Sequence, residues 1–369
     1  MNPISRRAFV SRIGLAAAGL SVLPFSSPAQ KLDPIEVLVV GDSFIWGQGL
    51  REEDKFYSLI ARWLRDDLYN GSRSVNLVVK AHSGARIRLH EKQLERMKRV
   101  GQPTDKFYYQ EADISFPSIT TQVDTAHREF ADPTRVKLVM VAGGITDLVV
   151  GNAINPFMKK SKFRRLVHTH CHQEMSQLLS HVTDLFPAAV VAVFAYFPIV
   201  STKSDMNKIT KYLMKIVKFP HQLQWLLTNG FSKQFMKIVR KATSDRSRLW
   251  FEESNRELTD AVAKANARLR SPRVFFVPSP VTEATCYATP NSLLWSLDND
   301  NRPEDDLYRE RIEKCPQVFD EIKYKPFGPI SVRLCELASV AHVNKAGSIA
   351  YAESAKKVLI AAIGRAILD

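Results

Sequence analysis

Two short blocks carry the side chains best suited to chemistry, and they lie at opposite ends of the chain. Near the start, the apolar run 36–40 stops at Gly41-Asp42-Ser43. Near the end stands Ala341-His342-Val343-Asn344-Lys345-Ala346-Gly347. A serine hydroxyl is a poor nucleophile until a base removes its proton as it attacks. A histidine titrates near neutrality, so it can take that proton and return it to a leaving alcohol. Ser43 and His342 together would suit acyl transfer through an acyl-serine. Gly-Asp-Ser alone is also an ordinary turn in which Asp or Ser caps a helix.

Such a pair needs a scaffold that brings the two ends together. Five runs, 36–40, 75–80, 136–141, 188–197 and 274–277, are rich in Val, Leu and Phe without alternation. Strands covered on both faces read this way. Helical patterns fall at 56–68, 163–185, 256–269 and 346–368. Alternating strands and helices imply an α/β protein with helices on both sides of a parallel sheet, a three-layer α/β/α sandwich. Ligands in such folds bind at the carboxyl ends of the strands, where Ser43 would sit. Gly41 permits the tight turn.

Two further blocks fall at equivalent places. Ala81-His82-Ser83-Gly84-Ala85 follows the second run, and Gly143-Gly144-Ile145-Thr146-Asp147 follows the third. In this order the blocks resemble the SGNH, or GDSL, hydrolase superfamily. The resemblance covers most of the chain after residue 29 and implies a flavodoxin-like parallel five-stranded sheet. It implies an esterase or lipase in which Ser43 is the nucleophile and His342 the general base and acid. The oxyanion hole would come from the backbone N–H of Ser43, the N–H of Gly84 and a third donor. It implies no cofactor and no metal for the ester chemistry.

The sequence departs from that pattern twice. The third oxyanion donor is an asparagine in the family, and Thr146 stands there. Its hydroxyl can donate one hydrogen bond but is shorter. The family's triad aspartate precedes the histidine by three residues, and Ser339 occupies that place. Ser339 is expected at best to orient the ring of His342, giving a Ser–His dyad. Asp42 and Asp147 are expected to stabilise their turns.

Ser5-Arg6-Arg7-Ala8-Phe9, a short apolar run 13–25 and Ser27-Pro28-Ala29 form an export signal of the twin-arginine type. The expected mature chain, 30–369, is one hydrolase domain in the periplasm or outside the cell. The run 13–25 is shorter than the ~20 residues of a membrane span. Four cysteines, Cys171, Cys286, Cys315 and Cys335, allow up to two disulfides in that setting.

The formal net charge of the whole chain is +14. Residues 203–248 hold eight lysines, three arginines and two aspartates, and so carry most of it. Within 201–250, Lys208, Lys211, Lys215 and Lys218 share one helical face, with Met206, Ile209, Leu213 and Ile216 opposite. This basic helical insertion reads either as a hairpin packed on the sheet or as a surface for membrane and acyl chains. No nucleic-acid motif accompanies the charge. His168-Thr169-His170-Cys171-His172 places only His168 and His172 on one helical face, two ligands where a metal needs more. The expected substrate is an ester of a lipid, an acylated glycan or a small molecule. An acyltransferase and a binding protein that kept the fold are the rival readings.

Overall fold

The computed structural model describes residues 32–205, 208–209, 230–300, 302–326 and 328–366. The expected signal 1–29 and most of the amphipathic run 206–219 lie outside the described residues. Five strands form one parallel sheet: β1 Leu32–Gly41, β2 Arg73–Val79, β3 Val136–Ala142, β4 Val190–Phe194 and β5 Val274–Val277. Their order is β2-β1-β3-β4-β5, which is the flavodoxin-like order. The chain direction reverses across the sheet at β1, so the crevice between the carboxyl ends of β1 and β3 is the switch point.

The central strands are apolar because both faces are covered. Val37 to Val40 and Val191 to Phe194 are fully buried. One face carries helices Phe56–Trp63 and Lys345–Ala366, which pack on each other. The other carries Ile119–Glu129, the helical stretch 160–185 and Gly230–Asn266. The stretch 160–185 is continuous but contains a π-helical segment, His168–Glu174, between α-helices Lys160–Val167 and Met175–Leu185.

Two expectations change in detail. Residue 250 is no break, because one helix runs from Gly230 to Asn266 and takes in most of the helix expected at 256–269. Its later turns belong to the core, where Trp250, Leu258 and Ala261 are fully buried. Residues 299–329 contain the 15-residue helix Tyr308–Ile322, which has no counterpart among the expected helical patterns. A disulfide joins Cys315 in that helix to Cys335 in the helix Ser331–Glu336, while Cys171 and Cys286 are free and buried. The disulfide lies in a small second core with Met97, Ile114, Phe116, Val318 and Phe319.

Candidate active site

β1 delivers Ser43 to the switch point through a turn that only glycine permits. Gly41 has φ +146°, and a Cβ there would lie 2.4 Å from the carbonyl oxygen of Ala142. The turn is then held from several sides. Gly41 N–H donates to Gln122 Oε1 at 2.7 Å, and Gln122 Nε2 returns a bond to the Gly41 carbonyl at 3.1 Å. The His82 amide donates to the same carbonyl at 3.0 Å, tying the block after β2 to the block after β1. Asp42 caps the four-residue helix Ser43–Trp46 by accepting from Phe44 N–H. Its other oxygen accepts from Tyr196 Oη at 2.5 Å, and Tyr196 Oη accepts from the Ile145 amide. Burial pushes the Asp42 carboxyl up to about 6, and the Tyr196 hydrogen bond works against that shift.

His342 reaches this point from the other end of the chain. Its Nε2 lies 2.8 Å from Ser43 Oγ, across 299 residues of sequence. Backbone pairing holds the loop that carries it. The Trp295 amide donates to the His342 carbonyl at 2.7 Å, and the Ala341 amide donates to the Trp295 carbonyl at 3.0 Å. Leu294 and Val343 form an antiparallel bridge, and Ala341 takes φ +66°, in the left-handed region. The imidazole Nδ1 is buried and has no hydrogen-bond partner among the described residues. Burial first, and the positive charge of Arg311 second, hold the ring's pKa down at about 4, and the carbonyls of Val340, Ser339 and Ala338 oppose this.

The expectation that Ser339 orients this ring is corrected. Ser339 Oγ donates to Asp305 Oδ2 at 2.5 Å and accepts from Arg311 Nη2 at 2.9 Å. Its hydroxyl points into a buried ionic cluster instead. Arg311, with no exposed side-chain surface, pairs with Asp305 at 2.6 Å and with Glu111 at 2.8 Å. Glu111 also accepts from Trp46 Nε1, Gln48 Nε2 and the Gly49 amide. Lys55 Nζ sits over the Trp46 ring, and burial lowers its pKa to about 8. Trp46 to Gly49 directly follow the Ser43 turn, and Ser339 directly precedes the His342 loop. The cluster thus fastens the two halves of the site together. Asp305, Arg311, Glu111 and Lys55 were not visible in the sequence, since no spacing links residues as far apart as Glu111 and Arg311.

Gly84 follows β2 with φ +76°. Packing also requires glycine there, because a Cβ would lie 2.5 Å from Asp113 Oδ1 and 2.6 Å from the Ile114 amide. Its neighbours Ser83 and Ala85 direct their amides to Gln110 and His82 carbonyls, while among the described residues no backbone carbonyl engages the Gly84 amide. Thr146 lies half-buried in the helix Ile145–Leu148 after β3. Asp147 beside it accepts from the Ile87 amide at 3.0 Å, joining the blocks after β2 and β3.

No family model and no curated protein matches the chain. Among solved structures, it is similar to an extracellular lipase from Streptomyces rimosus, at 12% identity and a TM-score of 0.43, over 88% of this chain and 99% of that one. Phospholipase A1 from Streptomyces albidoflavus NA297 aligns over 88% of this chain and 99% of its own, at 10% identity and a TM-score of 0.43. A family 3 carbohydrate esterase from Clostridium thermocellum aligns over 90% and 98%, at 14% identity and a TM-score of 0.37. The fold brings the blocks after β1, β2 and β3 to neighbouring strand ends and sets His342 against Ser43.

Proposed function

We propose that this chain is an ester hydrolase of the SGNH type that works with a Ser43–His342 dyad. The 2.8 Å contact between Ser43 Oγ and His342 Nε2 at the switch point carries the reading. Ser43 Oγ attacks the ester carbonyl while His342 Nε2 takes its proton. The oxyanion that forms is met by the amides of Ser43 and Gly84, with the Thr146 hydroxyl as the third donor. His342 then passes the proton to the leaving alkoxide, which departs as an alcohol and leaves an acyl-serine. Water attacks this ester with His342 again as base, and Ser43 recovers its proton as the acid leaves.

With Nδ1 unpaired, no carboxylate among the described residues stabilises the imidazolium that forms between these steps. The backbone carbonyls of residues 338–340 are what favour it. The ester is one of a lipid, an acylated glycan or a small molecule. The Cys315–Cys335 disulfide supports the expected export, since such bonds persist in oxidising compartments.

A fluorophosphonate probe tests the reading, since it labels only an activated serine. Wild-type protein should label, and Ser43→Ala should not. In an ester panel, Ser43→Ala and His342→Ala should each lose roughly 10⁴-fold in turnover with unchanged circular dichroism. A wild type that neither labels nor turns over esters would make this a binding protein on a hydrolase fold.

A further inference from the structure

The histidine run in the stretch 160–185 has no part in the ester chemistry. On the sequence it offers two ring nitrogens to a metal, His168 and His172, four residues apart. The fold adds a third ligand from another helix. Glu257, in Gly230–Asn266, places Oε2 2.8 Å from His168 Nδ1 and 3.8 Å from His172 Nδ1. The two imidazoles are stacked, with centroids 4.9 Å apart and planes at 11°. One ligand atom from each of the three residues lies within 4.8 Å of the other two.

We propose that His168, His172 and Glu257 form a binding site for a divalent cation of the zinc class that ties these two helices together. Two imidazole ligands favour borderline metals over hard ones, and zinc also accepts a carboxylate. Zinc–nitrogen and zinc–oxygen bonds of ~2.0–2.2 Å put tetrahedral ligand atoms roughly 3.3 Å apart. The 2.8 and 3.8 Å separations lie on either side of that value. His172 Nδ1 is buried and has no hydrogen-bond partner among the described residues, so its lone pair is available to a metal.

The carboxylate is held from behind, because Glu257 Oε1 accepts from Arg256 Nη2 at 2.7 Å. Metal ligands are commonly oriented by such outer contacts. The Arg256 side chain is 58% exposed, so water screens its charge. His168 is also solvent-accessible, with 46% of its side chain exposed, which gives an ion entry and leaves a fourth position for water. A π-helical segment carries both histidines, and such segments inside α-helices are frequent at functional sites.

A second group nearby, Asp147, His170 and Glu174, is wholly buried and largely engaged, with only Asp147 Oδ1 lacking a partner among the described residues. Glu174 is shared by His170 and Arg88, and Asp147 accepts from the Ile87 amide. It reads as an internal ion pair.

The test uses the full mature chain stripped with EDTA. Calorimetric titration with zinc chloride should show one equivalent bound, and zinc should raise the melting temperature. Cobalt(II) in its place should give the visible absorption of a tetrahedral nitrogen-ligated ion. His172→Ala and Glu257→Gln should each weaken zinc binding more than roughly 100-fold, beyond the loss typical of an outer contact. Glu257→Gln keeps the shape and a hydrogen bond to His168, so its loss of binding reports ligation rather than misfolding. No zinc binding by the wild type, or binding that persists unchanged in both variants, would overturn the proposal.

Discussion

The two halves of the Ser43–His342 pair are held by different means. The nucleophile sits on the end of the central strand, and side chains fix its turn: Asp42 within it, and Gln122 and Tyr196 reaching in from separate elements. The base sits on a loop that the backbone fixes, through the Trp295 and Ala341 amides and the Leu294–Val343 bridge. No side chain among the described residues grips the imidazole at Nδ1. The difference teaches that a dyad needs a positioned loop where a triad uses a positioned carboxylate. The buried Arg311 cluster supplies the rest, since it joins the loop's approach at Ser339 to the residues just after Ser43.

Breaking the cluster should have the largest effect. Arg311→Met leaves Glu111 and Asp305 buried without their cation and should cost about 3–5 kcal/mol in urea unfolding. A loss under ~1 kcal/mol would mean the halves are joined by packing alone. Next comes the pH dependence of the base. His342 must be neutral to accept the serine proton, so activity is lost as pH falls through its pKa. With that pKa held at about 4, the acid limb of kcat/KM should lie near pH 4, with turnover at pH 5 close to its plateau. A histidine at its ordinary ~6.5 would be roughly thirtyfold below plateau there, and a limb at that value would show an unseen partner for Nδ1.

Ser339 sharpens the contrast with the smallest change. Ser339→Ala should cost about 1.5–3 kcal/mol, the worth of a hydrogen bond to charged groups, and leave the acid limb in place. Ser339→Asp restores the family's residue but sets a carboxylate against Asp305, which already lies 2.5 Å from the hydroxyl. It should destabilise by about 2 kcal/mol and bring no gain in turnover. A gain would mean that the new carboxylate turns toward His342.

The sheet was legible because strands buried on both faces leave uninterrupted apolar runs, and β5 at Val274–Val277 coincides with its run. β4 is shorter than the run 188–197 because the chain leaves the sheet after Phe194 and carries Tyr196 to Asp42. β1 begins earlier than its apolar run, since Leu32 pairs with Arg73 ahead of a register shift, and the exposed Asp33 and Pro34 lie between it and Ile35. The Ser43 and His342 blocks could be recognised because each is short and local. What Ser339 does could not, because Asp305 lies 34 residues away and Arg311 belongs to a segment whose polarity reads as loop. Buried ion clusters leave no period in a sequence, since each charge is placed by tertiary packing alone. The same holds for Glu257, which joins two histidines 89 and 85 residues before it.

The small second core around the Cys315–Cys335 disulfide has a further bearing on the base. A handful of side chains set apart from the main core is the kind of unit expected to open locally, below the free energy of global unfolding. The disulfide bridges a sequence separation of 20 residues, and would limit the freedom such an opening releases by about 3 kcal/mol in chain-entropy terms. Arg311 lies on the same helix as Cys315, so an opening there would loosen its pairs with Glu111 and Asp305 and its bond to Ser339. Reducing the disulfide should therefore loosen the approach to the base at Ser339 before it reaches the buried strand that carries Ser43.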